Sequence, residues 1–228
     1  MERSIGRIIG ILFLSAILIA PLAGCAKNGE TESAKNTSGE TAGSSTDPAK
    51  PLSTGMTPSD ALAQAMRTQL SAKSYRVRIS SSPAAAQGET LVEYVAPDRI
   101  HMSNPLSEMI AVGSVTYTRQ GDGPWQKAPI NAGEIARTFR DPKLIDQLTT
   151  NYDIKFVGED TLDGAPMLVY EYTPKATSSA PKGGKTKVWI SAVDSFPRKV
   201  ETQGVTNPSV TTIIYSDYNS DIKIELPV

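Results

Sequence analysis

Apolar and polar residues alternate, segment after segment, through the C-terminal part of this chain. In SYRVRIS, Tyr75, Val77 and Ile79 alternate with Arg76 and Arg78, which is typical of a β-strand with one solvated face. About ten such segments follow one another with short links, among them EMIAVGSVTYTRQ as one strand and DIKIELP as the last, so most neighbouring strands are expected to be antiparallel. We expect a sheet with that many strands to curl into a barrel or half-barrel.

A helix is predicted in front of the first strand. The segment TPSDALAQAMRTQLSAK opens with Thr57 in a cap position and Asp60 three residues later. Its apolar residues Leu62, Met66 and Leu70 recur every fourth position and form one face. This part of the chain therefore adds a helix to a mostly β domain.

Two short helices are predicted between the strands. They are NAGEIARTF, capped by Asn131 with Glu134, and DPKLIDQLTT, capped by Asp141 with Pro142. The apolar faces predicted for this pair consist of Ile135, Phe139, Leu144, Ile145 and Leu148. Because those faces need burial, we expect the pair to cover another part of the domain.

The single cysteine, Cys25, stands where an apolar N-terminal run ends. Arg3 and Arg7 precede that run, which at about a dozen residues is shorter than the roughly 20 of a comfortable membrane span. The order of charged, apolar and small residues is that of a secretory signal. Leu22-Ala23-Gly24-Cys25 resembles the lipobox of bacterial lipoproteins, in which the cysteine receives a diacylglyceryl thioether, with or without an N-acyl group, and starts the mature chain. The alternatives are a plain signal peptide with an incidental cysteine, and a permanent transmembrane helix.

Three regions follow from this interpretation. Residues 1–24 are a lipoprotein signal peptide, residues 25–56 a disordered polar tether, and residues 57–228 one folded domain. We expect the protein at the extracytoplasmic face of a cell membrane, at the cell surface or in the periplasm, held by two or more acyl chains.

Composition and motifs argue against several other functions. The formal charge is -1, and -2 without residues 1–24, whereas a nucleic-acid-binding protein needs a basic excess. His101 is the single histidine and no GxSxG elbow accompanies it, so a hydrolase is not indicated. The acidic segments GEDTLDG and SDYNSD lack the alternation of a calcium loop, and the first contains the turn dipeptide Asp163-Gly164. We expect no catalytic residue, no metal and no cofactor.

Four segments together resemble the LolA/LppX-type bacterial lipoproteins and lipoprotein carriers. EYVAPDRIHM, VGSVTYTRQGDGPWQKAP, VGEDTLDGAPMLVYEYTP and VWISAVDSFPRKVE occur in the family's order within residues 73–220. The resemblance implies an α+β, mostly β fold: a curved antiparallel half-barrel of about ten strands, with an N-terminal helix and a two-helix insert covering its concave side. It also implies an apolar cavity for acyl chains of a lipid or a lipoprotein.

The residues expected to line that cavity alternate along their strands. They are Val77, Ile79, Leu91, Val95, Ile110, Val112, Val188 and Ile190. The alternative is an ordinary core, and Trp125 and Trp189 are expected either at the cavity rim or in that core.

The sequence leaves three functions open. The first is carriage or chaperoning of a lipid or acylated molecule by a membrane-anchored lipoprotein. The second is an envelope sensor or protein-interaction module on the same fold. An enzyme is a third and weaker alternative. An apolar cavity of several hundred Å³ on the concave side would support carriage.

Overall fold

The computed structural model describes residues 55–85, 88–175, 184–204 and 209–227. Three helices lie within these ranges: α1 (Pro58–Ser71), α2 (Ala132–Thr138) and α3 (Lys143–Asn151). The strands are β1 (Ser74–Ser82), β2 (Thr90–Val95), β3 (Arg99–Ser103), β4 (Ser107–Val112), β5 (Val115–Gln120), β6 (Gln126–Lys127), β7 (Tyr152–Leu162), β8 (Ala165–Pro174), β9 (Thr186–Ser191), β10 (Pro197–Gln203) and β11 (Val210–Ser216).

All the strands belong to one antiparallel sheet with the order β6-β5-β4-β3-β2-β1-β11-β10-β9-β8-β7. The first half, β1 to β6, runs outward to one edge in chain order, and the second half, β7 to β11, returns from the other edge. The halves meet where β1 pairs with β11. α2 and α3 join the edge strands β6 and β7 along the chain, so the helical pair connects the two edges of an unclosed, curved sheet. The predicted half-barrel is confirmed.

Local signals place the starts of α1 and α2 and the β7–β8 turn as predicted, whereas the cap residue of α3 is Pro142, without a side-chain cap bond, and not the predicted Asp141. The Thr57 hydroxyl accepts the Asp60 N–H at 3.2 Å and donates to the Asp60 carboxylate at 2.7 Å, which caps α1. The Asn131 side chain accepts the Glu134 N–H at 3.0 Å and caps α2. Asp163 and Gly164 adopt φ angles of 51° and 80°, as a tight hairpin turn between β7 and β8 requires.

The strand prediction is wrong in two places. The segment EMIAVGSVTYTRQ, predicted as one strand, forms β4 and β5, because Gly113 with φ 59° begins a two-residue turn. The segment DIKIELP, predicted as a last strand, has no strand pairing. Ile222 and Ile224 are nevertheless buried. The alternation of apolar and polar residues in this segment therefore reflects burial of every second side chain, although the segment pairs with no strand.

The core consists mainly of two clusters of buried side chains on the concave face, one centred on each half of the sheet, and the first of them extends onto β11. The first-half cluster comprises Ala72, Tyr75, Val77, Val92, Tyr94, Ile100, Met102, Met109, Ala111, Ala132, Ala136, Phe196, Ile213 and Tyr215. The second-half cluster comprises Ala61, Leu62, Ala63, Ala65, Met66, Ile145, Leu148, Tyr152, Tyr170, Val188 and Ile190. α2 therefore packs on the first half, and α1 and α3 pack on the second.

Helix α2 presents a different face from the one predicted. Its buried residues are the small ones, Ala132, Gly133 and Ala136, whereas Ile135 is 46% exposed. A Cβ atom on Gly133 would lie 2.1 Å from the carbonyl oxygen of Gly113 in the β4–β5 turn. Because the helix approaches this turn so closely, only small side chains fit beneath it. α3 buries Ile145 and Leu148 as predicted.

Candidate functional site

The concave face contains four of the eight residues expected to line a cavity. Val77, Val188 and Ile190 are fully buried there, and Ile79 is partly buried against the first-half cluster. Val77 belongs to the first-half cluster, whereas Val188 and Ile190 pack with the side chains of α1 and α3. These four residues therefore share one face of the sheet, beneath the helices.

The other four residues lie on the opposite, convex face: Leu91, Val95, Ile110 and Val112. Leu91 pairs in register with Arg78, and Ile110 pairs with His101. Because paired residues of an antiparallel sheet project to the same side, these apolar residues lie among charged ones. Their expected place on the concave side is wrong. The buried residues of β2 and β4 are the adjacent Val92, Tyr94, Met109 and Ala111.

A group of aromatic side chains, which the sequence prediction missed, occupies one end of the concave face. The rings of Tyr75 and Tyr94 stack with centres 5.0 Å apart, and those of Phe196 and Tyr218 stack at 4.1 Å. Tyr75 lies 5.7 Å from Tyr218 and joins the two stacks. Burial raises the pKa of Tyr75 to about 12, so its hydroxyl is neutral at ordinary pH. The alternation of β1 already places Tyr75 on the same face as Val77, which was the available signal.

Arg140, in the link between α2 and α3, reaches the same end. Its Nη2 group donates to the carbonyl oxygen of Leu70 and, at 3.4 Å, to that of Ala72. Its guanidinium carbon lies 4.6 Å from the centre of the Tyr94 ring. Since α1 has no basic residue in its last turn, Arg140 supplies the cation that a helix C-terminus favours. This contact ties the helical insert to the end of α1.

The convex face contains a row of alternating charges across β1 to β5. Glu93 accepts from Arg76 at 2.7 Å and lies 3.0 Å from Nδ1 of His101. Glu108 lies 2.6 Å from Nε2 of His101 and accepts from Nε of Arg119 at 2.6 Å. Partial burial raises the pKa of both carboxyls, but the hydrogen bonds from their basic neighbours outweigh it and hold each pKa below its ordinary value. His101 therefore links β2 to β4 through its contacts with both carboxylates.

A polar cleft of about 360 Å³ lies at the end of β7, β8 and β9. Its lining consists of Asp153, Ile154, Lys155, Glu171, Thr173 and Lys185. The nearly buried carboxylate of Glu171 lies 2.9 Å from the Lys155 amine and 3.3 Å from that of Lys185, and the hydrogen bond from Lys155 lowers its pKa. With this lining, the cleft is not the apolar cavity expected on the concave side.

Neither tryptophan lies in the concave clusters. Trp189 packs on the convex face with Met167 and Val169, and its indole N–H donates to Asp160 at 2.8 Å. Trp125 is half-buried beside Arg119, whose guanidinium carbon is 4.8 Å from the ring centre.

Several predictions fall outside the described residues. Cys25, the signal peptide at 1–24 and residues 25–54 of the tether are not among them. Met56, at the end of the predicted tether, is partly buried against the second-half cluster. Within the described ranges, no helix has the length and apolar composition to cross a bilayer. The same ranges contain no group of three or more His, Cys, Asp or Glu residues that could hold a metal ion.

No family model and no curated protein matches the chain. Among solved structures, the lipoprotein LppX of Mycobacterium tuberculosis is similar with a TM-score of 0.58 and 13% identity, over 74% of this chain and 98% of LppX. The chain has the LolA/LppX-like fold. LprF of Mycobacterium bovis is similar with a TM-score of 0.56 and 13% identity, over 75% of this chain and 96% of LprF. In this LolA/LppX-like fold, the candidate site is the concave face between the sheet and its helices.

Proposed function

We propose that this protein is a membrane-anchored extracytoplasmic lipoprotein that binds a lipid or acylated molecule on the concave face of its sheet, as a carrier or chaperone. One observation carries the proposal: the concave face of an unclosed sheet is lined by apolar and aromatic side chains and is covered by three separate helices. The fold shared with LppX, which is a lipoprotein, supports it.

Binding requires a helix to move, and α2 is the helix held by the smallest side chains. Its buried contacts come from Ala132, Gly133 and Ala136. Each alanine methyl contributes about 0.8 kcal/mol when buried, so these side chains together hold α2 by only a few kcal/mol. An acyl chain recovers about 0.8 kcal/mol for every methylene that it buries. A chain of about ten methylenes therefore more than offsets the loss of these alanine contacts. Displacement of α2 would also break the hydrogen bond from the Ala132 N–H to the Thr116 hydroxyl. It would break the ion pair of Arg137 with Asp98 as well.

The anchor belongs to the same proposal. Cys25 follows small residues at the end of an apolar run, and we assign to it the diacylglyceryl group that holds the protein at the membrane. Metabolic labelling with palmitate, followed by fractionation of cells, tests this assignment. The wild-type chain should be labelled and membrane-bound, and C25S should be unlabelled and released. Label retained by C25S would contradict it.

The test of lipid binding uses two residues on opposite faces. Ile79 and Leu91 are both partly buried aliphatic strand residues, but Ile79 packs on the first-half cluster and Leu91 lies on the convex face. The full chain with C25S is purified and extracted, and co-purifying lipid is measured by mass spectrometry. I79N should lose bound lipid and L91N should retain it. A lipid-free protein without affinity for fatty acids would refute the proposal.

A second candidate function is protein recognition without lipid transport. It is favoured by the dense packing of the concave face, where Leu62, Val77 and Ile190 are fully buried. It is also favoured by the edge strand β7, on which Phe156 is 47% and Val157 is 48% exposed. Capture of a defined envelope protein by the wild-type chain, lost in F156K/V157K, would support this alternative. Unchanged capture by that variant would exclude β7 as the binding surface.

A further inference from the structure

Arg140 differs from the other half-buried arginines of the described ranges. Those arginines pair with carboxylates: Arg76 with Glu93 and Asp217, Arg119 with Glu108, and Arg198 with Asp194. No described carboxylate lies within 4.0 Å of Arg140. Asp98, which is close to Tyr94 in the sequence, pairs with Arg137 instead. The C-terminus of α1 compensates this cation only in part, since a helix end carries about half an elementary charge. Removing the rest of the charge from water without a counter-charge is costly.

The partners that Arg140 does have are neutral. They are the carbonyl oxygens of Leu70 and Ala72, the face of the Tyr94 ring and the hydroxyl of Tyr75. Burial raises the pKa of Tyr75 to about 12, so that hydroxyl carries no charge at pH 7. A guanidinium has five N–H donors, and both carbonyl bonds come from Nη2. The two carbonyl bonds and the Tyr75 contact use fewer donors than the guanidinium has, so Arg140 has N–H groups left for a further acceptor.

The position of Arg140 relates this charge to the apolar face. Ala72, Tyr75 and Tyr94, which surround the guanidinium, are all members of the first-half cluster. The cation thus lies at the border between the concave face and the link that joins α2 to α3. An amphiphile whose acyl chain lies along this face has its head group at such a border.

We propose that Arg140 binds the anionic head group, a carboxylate or a phosphate, of an amphiphile whose acyl chain lies on the concave face. The planar fork of a guanidinium matches both groups with two parallel hydrogen bonds, and an anion supplies the missing counter-charge. The inference rests on the proposed lipid-binding function and adds the class of ligand to it. The aromatic rings beside Arg140 exclude water and so strengthen the pairing.

The experiment separates head-group charge from acyl-chain binding. The full chain with C25S is loaded with the neutral fluorescent probe N-phenyl-1-naphthylamine, which is displaced by dodecanoate, dodecyl phosphate or dodecanol. The wild-type chain should prefer both anions to dodecanol. R140Q should weaken binding of the anions about tenfold and that of dodecanol less than about twofold. The stronger of the two anions indicates a fatty acid or a phosphorylated lipid as the natural source.

Controls distinguish recognition from structural support. R140K keeps the charge but not the fork, so it should retain part of the preference. R119Q removes a half-buried arginine of the convex face that already pairs with a carboxylate, and it should keep all of the preference. Added salt should weaken wild-type binding of dodecanoate but not of dodecanol, a measurement that needs no variant.

The outcomes that overturn the inference are separate from those that overturn the proposed function. Equal weakening of anions and dodecanol in R140Q, no change in R140Q, or no salt effect on the wild type would show that Arg140 is a structural contact only. Failure of the wild-type chain to bind the probe and every one of the amphiphiles would instead refute lipid binding itself.

Discussion

Replacing Gly133 by alanine tests whether close approach of α2 to the β4–β5 turn holds this helix on the sheet. The new Cβ atom would lie 2.1 Å from the Gly113 carbonyl oxygen and 2.9 Å from that of Asp98. Favourable contacts of heavy atoms lie at about 3.5 Å, so the helix or the turn must shift by more than about 1 Å. Both obstructing atoms belong to the backbone and have no rotamer to change.

The sign of the effect follows from two opposing contributions. Overpacking of this kind costs about 1 to 3 kcal/mol, whereas alanine is favoured over glycine in a helix by about 1 kcal/mol. Lifting α2 also withdraws Ala132 and Ala136 from the first-half cluster. Because a shift of the whole helix places the steric cost near its upper limit, we expect G133A to lower the free energy of unfolding by about 2 kcal/mol.

Urea unfolding and hydrogen exchange measure the two parts of this expectation. G133A should have a lower unfolding midpoint, and the amides of α2 should exchange faster while those of β9 change only with global stability. T138A is the matched control, since Thr138 is exposed on the same helix. A G133A protein as stable as the wild type, or more stable by the helix-propensity gain, would refute the close-packing argument.

Three further predictions concern the core, a helix cap and pH. L62A removes a fully buried side chain from the second-half cluster and should lower the free energy of unfolding, measured by urea titration, by about 3 kcal/mol. A loss below about 1 kcal/mol would contradict the core position of Leu62. T57A removes the cap of α1 and should cost about 1 kcal/mol by the same measurement, and T57S should restore it. The pKa values of Glu93 and Glu108 are lowered from 4.5 in the folded protein. These two carboxylates therefore stabilise the fold above pH 4.5, and this stabilisation is lost as the pH falls through the lowered pKa values. Thermal unfolding should show this acid loss in the wild type and a weaker one in E93Q/E108Q, and identical pH profiles would exclude the convex charges as its source.

The sequence predicts the elements well where short-range signals decide. Thr57 and Asn131 cap their helices, and Asp163-Gly164 turns the β7–β8 hairpin, because each of these features depends on neighbouring residues alone. The alternation of β1 likewise places Val77 on the buried face, since the other side of that strand carries arginines.

Prediction from the sequence fails where the buried face of an element depends on contacts with residues far away in the chain. β2 has apolar residues on both faces, so alternation does not say whether Leu91 or Val92 is inside. Pairing with β1 decides it, because Val92 lies opposite Val77 and Leu91 opposite Arg78.

Which face of α2 is buried, and where Arg140 lies, also depend on tertiary contacts. Ile135 points outward because backbone atoms of Gly113 and Asp98 leave room only for small residues beneath the helix. Nothing next to Arg140 in the sequence distinguishes it from an exposed arginine, since its partners Leu70 and Ala72 are about 70 positions earlier in the chain.

The pairing of β1 with β11 determines when the sheet can be completed. Arg76 pairs with Glu93, 17 positions away, on one side, but with Asp217, 141 positions away, in the neighbourhood of β11 on the other. During synthesis from the N-terminus, strands β1 to β6 can pair early, yet one edge of β1 stays open until almost the whole chain has emerged. The strand at the centre of the finished sheet is therefore an edge strand for most of the time that the protein takes to fold, and it is the place where a delay would expose the chain to wrong pairing.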